Sequence, residues 1–316
     1  MPPKIRLGIS ACLLGQKVRY DGGHRLDRFI SETLGKLVEF VPVCPEVECG
    51  LGIPREAMHL VPGPEGPRLL TIRTQVDHTE RMRAWARKRL VELEREGLCG
   101  FIFKSGSPSS GLERVKIYSG KGAPARTGVG LFAQEFRQHF PLLPVTDEGR
   151  LYDPGWRENF LKSLFVMQRW RETLASGAKR EHLVDFHTRH QLLLMSHSPR
   201  HYGRLGKLVA RLKEMPLTAA YEQYQGQLME ALRLRATVKK NVNVLLRVLG
   251  YFKKHLSPAE KAELREIIEN YRQGYTPLMV PVTLLNHYGR KYDQAYLKGQ
   301  YYLNPHPLEL QLCYHV

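Results

Sequence analysis

Three short apolar runs, Ile5–Ser10, Leu37–Val43 and Gly100–Lys104, each stop at a polar loop rich in Gly, Pro or Ser. Runs of that length bounded by turn residues read as buried strands. Between the second and third lies a charged stretch, Gln75 to Glu96, with Met82, Trp85, Leu90 and Leu93 at amphipathic helical spacing. Strands alternating with a helix predict an α/β domain, a parallel sheet with crossover helices of Rossmann-like kind. In open α/β sheets, ligands bind beyond the carboxyl ends of the strands. The loops at Cys12, Cys44 and Ser105 fall at those ends.

After the turn-rich run Asp147 to Gly155 the period changes. Trp156–Ser176, Glu181–Met195, Tyr202–Met215, Leu217–Arg235, Thr237–His255 and Pro258–Gly274 all carry helical spacing. Ser257-Pro258-Ala259-Glu260 supplies a capping box with proline at the first helical position. The expected organisation is an α/β domain over 4–150, a helical linker over 151–180 and an all-α domain over 181–310. A length of 316 residues suits two cores. No apolar run approaches the ~20 residues a membrane span needs, and Met1 to Ile5 lacks a signal-peptide h-region. The expectation is a cytoplasmic protein with no membrane partner.

Lys+Arg 48 against Asp+Glu 31 gives a net charge of +17, and residues 151–316 carry 25 against 14 of it. Such an excess suits a polyanion such as tRNA or another nucleic acid, or simply a solvated basic face. Lys239, Lys240, Lys253 and Lys254 flank the aromatic-bearing stretch Val242 to Phe252 and are the candidate phosphate contacts. His187, His190 and His197 recur at helical spacing. Without a His-Glu-x-x-His signature, polar helix packing is preferred for them over a metal site.

Among five cysteines, Cys99 and Cys313 read as structural. Cys12 and Cys44, each at a strand end, would place two thiols at one rim. Cys44 and Cys49 form one C-x4-C pair with no second pair, which argues against a four-ligand zinc site. For Cys12 a three-ligand cluster, a nucleophilic thiol and a small buried hydrophobe stay open.

The loops carry a family resemblance. Ile9-Ser10-Ala11-Cys12-Leu13-Leu14-Gly15 with Val18 to Gly23, Val43-Cys44-Pro45-Glu46 through Arg55, and Lys104 through Ser107-Pro108-Ser109-Ser110-Gly111 resemble the thiouracil desulfurase family over about residues 4–150. That resemblance implies a [4Fe-4S] cluster on three cysteines, with an open iron that takes sulfur from a thiolated pyrimidine while water supplies the replacing oxygen. It makes Cys12 and Cys44 cluster ligands, Glu46 the catalytic acid and Ser107 a catalytic or substrate-positioning serine. It also puts Asp21 in the pocket wall and gives Arg19 a part in orienting substrate. An acid–base group suits the exchange of C=S for C=O, because a water must lose protons.

One position departs. The family's third ligand is the Cys of Ser-Pro-Ser-Cys-Gly, and here it is Ser110. A serine hydroxyl is a hard, weak ligand where thiolate is normal, so the cluster is expected to be labile or absent. Either the ligand has been exchanged, or the chain has diverged from cluster chemistry, or Cys49 fills the third position. Cys49 shares a loop with Cys44 and reaches around a cluster poorly. A cluster-free nucleic-acid-binding protein is the competing expectation.

The second half resembles the YbgA-type domain from about His182 to Pro307. His187-Thr188-Arg189-His190, Gly250-Tyr251-Phe252, Pro281 to Tyr288 and Tyr301 to Pro307 carry it. Asn241 and Arg247 depart from it, standing where that domain has histidines.

Overall fold

In the computed structural model, which describes residues 5–119 and 126–305, the run Ile5–Ser10 forms β1, an inner strand of a parallel sheet. The sheet order is β2-β1-β5-β8, with β2 at Val38–Val43, β5 at Gly100–Phe103 and β8 at Val145–Asp147. All its pairings are parallel, as the alternation of strands and helix predicts. Leu7 and Ile9 are fully buried, as are Phe101, Ile102 and Phe103 on β5, the pattern of strands covered on both faces. Gly8 is required there, because a Cβ would sit 2.2 Å from the Phe101 ring. From β1 the chain first adds β2 on one side and later β5 on the other, so the switch in strand order lies at β1. The carboxyl ends around β1 are therefore the expected ligand crevice.

Periodicity does not reveal a second sheet, of order β4-β3-β6-β7. Its strands β3 (Met58–Val61), β4 (Arg68–Thr71), β6 (Val115–Ile117) and β7 (Arg126–Gly128) are three or four residues long. Runs that short carry too few residues to show alternation. A core of Cys49, Leu60, Leu69, Met82, Val115, Ile117 and Leu131 lies against this sheet.

The first unit includes two short helices and two longer ones. These are α1 (Pro45–Glu48), α2 (Thr79–Arg95), α3 (Leu131–His139) and α4 (Glu148–Leu151). Helix α2 starts later than the expected Gln75. Gln75 has φ of +56° and Asp77 bridges back to Leu70, so the chain is still turning out of the sheet.

The chain divides into two compact units at Gln168/Arg169, within α5 (Pro154–Ala175). The second unit contains α6 (Arg180–His197), α7 (Pro199–Ala210), α8 (Leu217–Arg233) and α9 (Val238–Gly250). It continues with α10 (Pro258–Arg272), α11 (Met279–Lys291) and α12 (Ala295–Lys298). Among the described residues it has no strand, as the helical spacing implies. Trp170, fully buried, stacks on Tyr224 at 5.4 Å and meets Phe186 edge-on at 5.1 Å. Helix α7 begins three residues before the expected Tyr202, because Ser198 caps it by accepting His201 N–H and Pro199 takes the first position. The capping box at Ser257 and Glu260 forms as expected. No described helix is long and apolar enough to cross a membrane. Cys313, His306 and Pro307 lie outside the described residues.

Candidate active site

A cavity of about 330 Å³ opens at the carboxyl ends of the parallel strands, and all three loops reach it. After β1 the chain makes one tight turn, Ala11–Leu14, closed by Gly15 at φ +84°. The Cys12 carbonyl then accepts N–H from Gly15 at 3.3 Å and from Arg25 at 2.9 Å, which fixes this loop beside the sheet. After β2, Cys44 stands just ahead of α1, and its N–H donates to the Glu48 carboxylate at 2.7 Å. After β5 the loop turns at Gly106 and docks on the start of α3. There the Leu131 and Ala133 N–H groups donate to the Pro108 and Ser109 carbonyls, both at 3.2 Å.

The residues carried over from the family resemblance converge. Cys12, Cys44, Glu46, Ser107, Ser110 and Arg19 all line this one cavity. Asp21 does not line it: half-exposed, it pairs with Arg19 at 3.5 Å and accepts Gly23 N–H at 3.0 Å. Cys49 is not there either. It is packed in the core under the second sheet, its thiol donating to the Glu46 carbonyl at 3.3 Å, so it is a small buried hydrophobe.

Glu46 is the polar centre. Its Oε1 accepts from Ser109 Oγ at 2.5 Å, with Ser107 Oγ farther off at 3.5 Å. Its Oε2 lies 3.5 Å from Cys44 Sγ and 3.9 Å from Arg55 Nη2. Burial, reinforced by the Glu46 charge, pushes the Cys12 thiol up to about 11 and the Cys44 thiol up to about 12. At neutral pH both are protonated soft sulfur groups at the same rim.

Several participants escape a reading of the sequence. Arg55, whose side chain is about nine-tenths buried beside Glu46, lines the cavity from the end of the second motif. Only its place in that motif signals it. Ser109, between Ser107 and Ser110 in sequence, is not singled out by the motif. Lys104 and Ser105 line the cavity too and are both tied to Glu148, which is 44 and 43 residues away along the chain. Ser105 N–H and Oγ reach its carboxylate at 2.8 and 2.6 Å, and Lys104 Nζ forms an ion pair with it. Nothing local in the sequence announces that pairing.

In the second unit the histidines serve packing. His187 Nδ1 meets Tyr224 OH at 3.1 Å, His190 Nδ1 meets the Phe186 carbonyl at 2.7 Å and His197 Nδ1 meets the Leu234 carbonyl at 2.8 Å. Among the described residues, no group of three or more His, Cys, Asp or Glu side chains is arranged to hold a metal ion. Lys240 is committed to the fold, donating to the His197 carbonyl at 2.6 Å and the Arg235 carbonyl at 3.0 Å. Lys239, Lys253 and Lys254 are exposed.

The 2-thiouracil desulfurase family model matches residues 7–148, and the model of a protein family of unknown function, DUF1722, matches residues 191–307. YbgA of Escherichia coli strain K12, an uncharacterized protein, is 31% identical over 156 residues, covering 49% of this chain and 92% of YbgA. The chain belongs to the YbgA family and carries a 2-thiouracil desulfurase domain in its first half. The fused architecture expected from the motifs is therefore present. A solved structure, the [4Fe-4S]-dependent thiouracil desulfidase TudS, is 30% identical, covering 48% of this chain and 95% of TudS, with a TM-score of 0.39.

The donor chemistry of the cavity can be set against the cluster that the family implies. Two of its lining residues are thiols, and the third family position is the hydroxyl of Ser110, itself buried and 3.5 Å from Ser109 Oγ. Cluster iron is held by thiolates. Two thiols and an alcohol do not fit a cluster bound by three protein sulfurs.

Proposed function

We propose that the cavity of the first unit takes a thiolated pyrimidine, as base, nucleoside or nucleotide, and is the site of its desulfuration. The net change is C=S plus water to C=O plus hydrogen sulfide, with no electron gained or lost. The observation that carries this reading is the placement of Glu46 and Ser107 in one cavity with the Cys12 and Cys44 thiols, at the ends of parallel strands.

Glu46 is the group suited to take a proton from water and return one to the leaving sulfur or a ring nitrogen. Arg19, at the same cavity, is suited to orient the flat ring or a phosphate. Ser110 is the weak point. The chain as written is expected to hold iron poorly, and Ser110→Cys is expected to restore the third sulfur.

Anaerobic purification of the chain beside Ser110→Cys, with iron and acid-labile sulfide counted and sulfide release from 2-thiouracil measured, tests the reading. About four irons in the variant alone, with sulfide release, supports it. No turnover by either protein across a panel of thiopyrimidines would sink it.

A second reading is favoured by one observation, the +11 charge of residues 151–316. In it the basic helical unit holds a nucleic acid, with or without the chemistry of the first unit. A salt-sensitive gel shift with tRNA supports this reading, and no shift at low salt removes it.

A further inference from the structure

Glu46 is held by a serine that the family resemblance does not single out. Ser109 Oγ is 2.5 Å from Glu46 Oε1, against 3.5 Å for Ser107 Oγ. Ser109 is fully buried and stands behind the cavity wall rather than in it.

Donor counting gives the directions. A carboxylate only accepts, so the Ser109 hydroxyl donates to Glu46. Ser107 Oγ accepts the N–H of Ser109 at 3.3 Å and of Ser110 at 3.2 Å, which fills its two acceptor sites. Its own proton is then directed to Ser109 Oγ, at 2.9 Å. The chain of donors runs from Ser107 to Ser109 to Glu46. Its middle member is also fixed by its backbone, because the Ser109 carbonyl accepts Ala133 N–H at 3.2 Å in the first turn of α3.

We infer that Ser109 is the positioning residue for Glu46, and that Ser107 acts on the carboxylate through it. Ser109 holds Oε1 and so turns Oε2 toward Cys44 Sγ and Arg55. This rests on the proposed acid–base role of Glu46.

The test uses the full-length chain with carbon-13-labelled glutamate, the Glu46 carboxyl resonance being assigned through Glu46→Gln. Ser109→Ala is expected to move that resonance further than Ser107→Ala does, because Ser107 reaches the carboxylate mainly through Ser109. The reverse pattern, or no movement in Ser109→Ala, overturns the inference. Should Ser109→Ala fail to fold, Ser109→Cys, which keeps the shape and weakens the donor, takes its place: an unmoved Glu46 resonance there overturns the inference.

Turnover of 2-thiouracil, in whichever of the wild-type and Ser110→Cys backgrounds is active, gives a separate readout. Ser109→Ala should lower kcat by about 10- to 100-fold with KM little changed, the range for losing a partner that orients a functional side chain. Undiminished kcat counts against Ser109 while leaving the desulfuration reading intact. Absence of turnover in both backgrounds fails that reading instead, and the carboxyl resonance then decides the positioning claim by itself.

Discussion

Cys12 and Cys44 leave neighbouring parallel strands at the same level, because Ser10 of β1 is in register with Val43 of β2. Cys12 comes two positions after Ser10 and Cys44 one position after Val43, so sheet pairing alone brings both thiols to one rim. The third loop comes from β5, on the other side of β1, and completes the cavity with Ser107 and Ser110.

That arrangement separates Cys49 from the other two loop cysteines. In the Ser110→Cys background, Cys49→Ala should leave the iron and labile-sulfide content unchanged, while Cys12→Ala or Cys44→Ala abolishes it. Cys49→Ala should instead cost about 1 kcal/mol of stability, as a small buried side chain lost from the core under the second sheet. Iron analysis and urea unfolding on the same preparations check both halves.

Gly130 sets the position of the serine loop. A Cβ there would lie 2.5 Å from both the carbonyl carbon and oxygen of Ser109, and backbone atoms cannot swing aside as a flexible side chain does. Gly130→Ala should therefore displace Ser109 and weaken its grip on Glu46. The expected result is lowered turnover of 2-thiouracil with a destabilisation on the order of 1–3 kcal/mol. Unchanged kinetics would show that the loop does not depend on this contact.

Glu148 ties the Lys104–Ser105 segment to the end of β8. Burial pushes its carboxyl up, but hydrogen bonds from Lys104 and Ser105 and the Lys104 charge override that and hold it below the usual carboxylate range. A folded-state value below the unfolded one stabilises the protein above the unfolded pKa, and that contribution disappears as pH falls through the lowered folded value. Glu148→Gln should cost on the order of 2 kcal/mol at pH 7 and flatten the acid limb of stability against pH. Urea unfolding between pH 7 and pH 3 measures it.

His187 and His190 give the second unit an acid sensitivity of its own. Burial lowers His187 to about 4; burial and then the Arg169 charge lower His190 to about 3. Both are neutral when folded and bind protons on unfolding, so stability falls as pH drops below the ordinary histidine value toward the folded ones. The loss should reach about 2 kcal/mol per histidine by pH 5. His187→Gln should halve that slope. A slope unaffected by either histidine would contradict their buried, neutral state.

Lys240 and its lysine neighbours should separate in kind. Lys240→Ala removes donors to the carbonyls of His197, the last residue of α6, and Arg235, for a loss of about 1 kcal/mol. Lys253→Ala and Lys254→Ala, both at exposed positions, should leave stability alone. If tRNA binds this unit, those two substitutions reduce the salt dependence of binding, each by about one phosphate contact.

Much of this organisation is legible in order along the chain. The strands β1, β2 and β5 are apolar runs with turn residues at their ends, and their loops hold Cys12, Cys44, Glu46 and Ser107 within recognisable motifs. The helices of the second unit announce themselves by period and caps, as at Ser257. What local pattern does not carry is the second sheet, whose strands are too short to alternate visibly, and the pairing of Lys104 with a carboxylate 44 residues on.

Which side chains are present is written in the chain: two loop thiols, a serine where a third thiol belongs, and a carboxylate two residues beyond Cys44. Chemical identity is a local property, and no folding can turn Ser110 into a sulfur donor. Tertiary structure alone decided which groups meet. It buried Cys49 in a core instead of the cavity and brought Ser109, 63 residues from Glu46, within 2.5 Å of its carboxylate. The reason is that sheet register and the docking of a loop on α3 fix distances between residues far apart in the chain, and these depend on packing that no local spacing encodes.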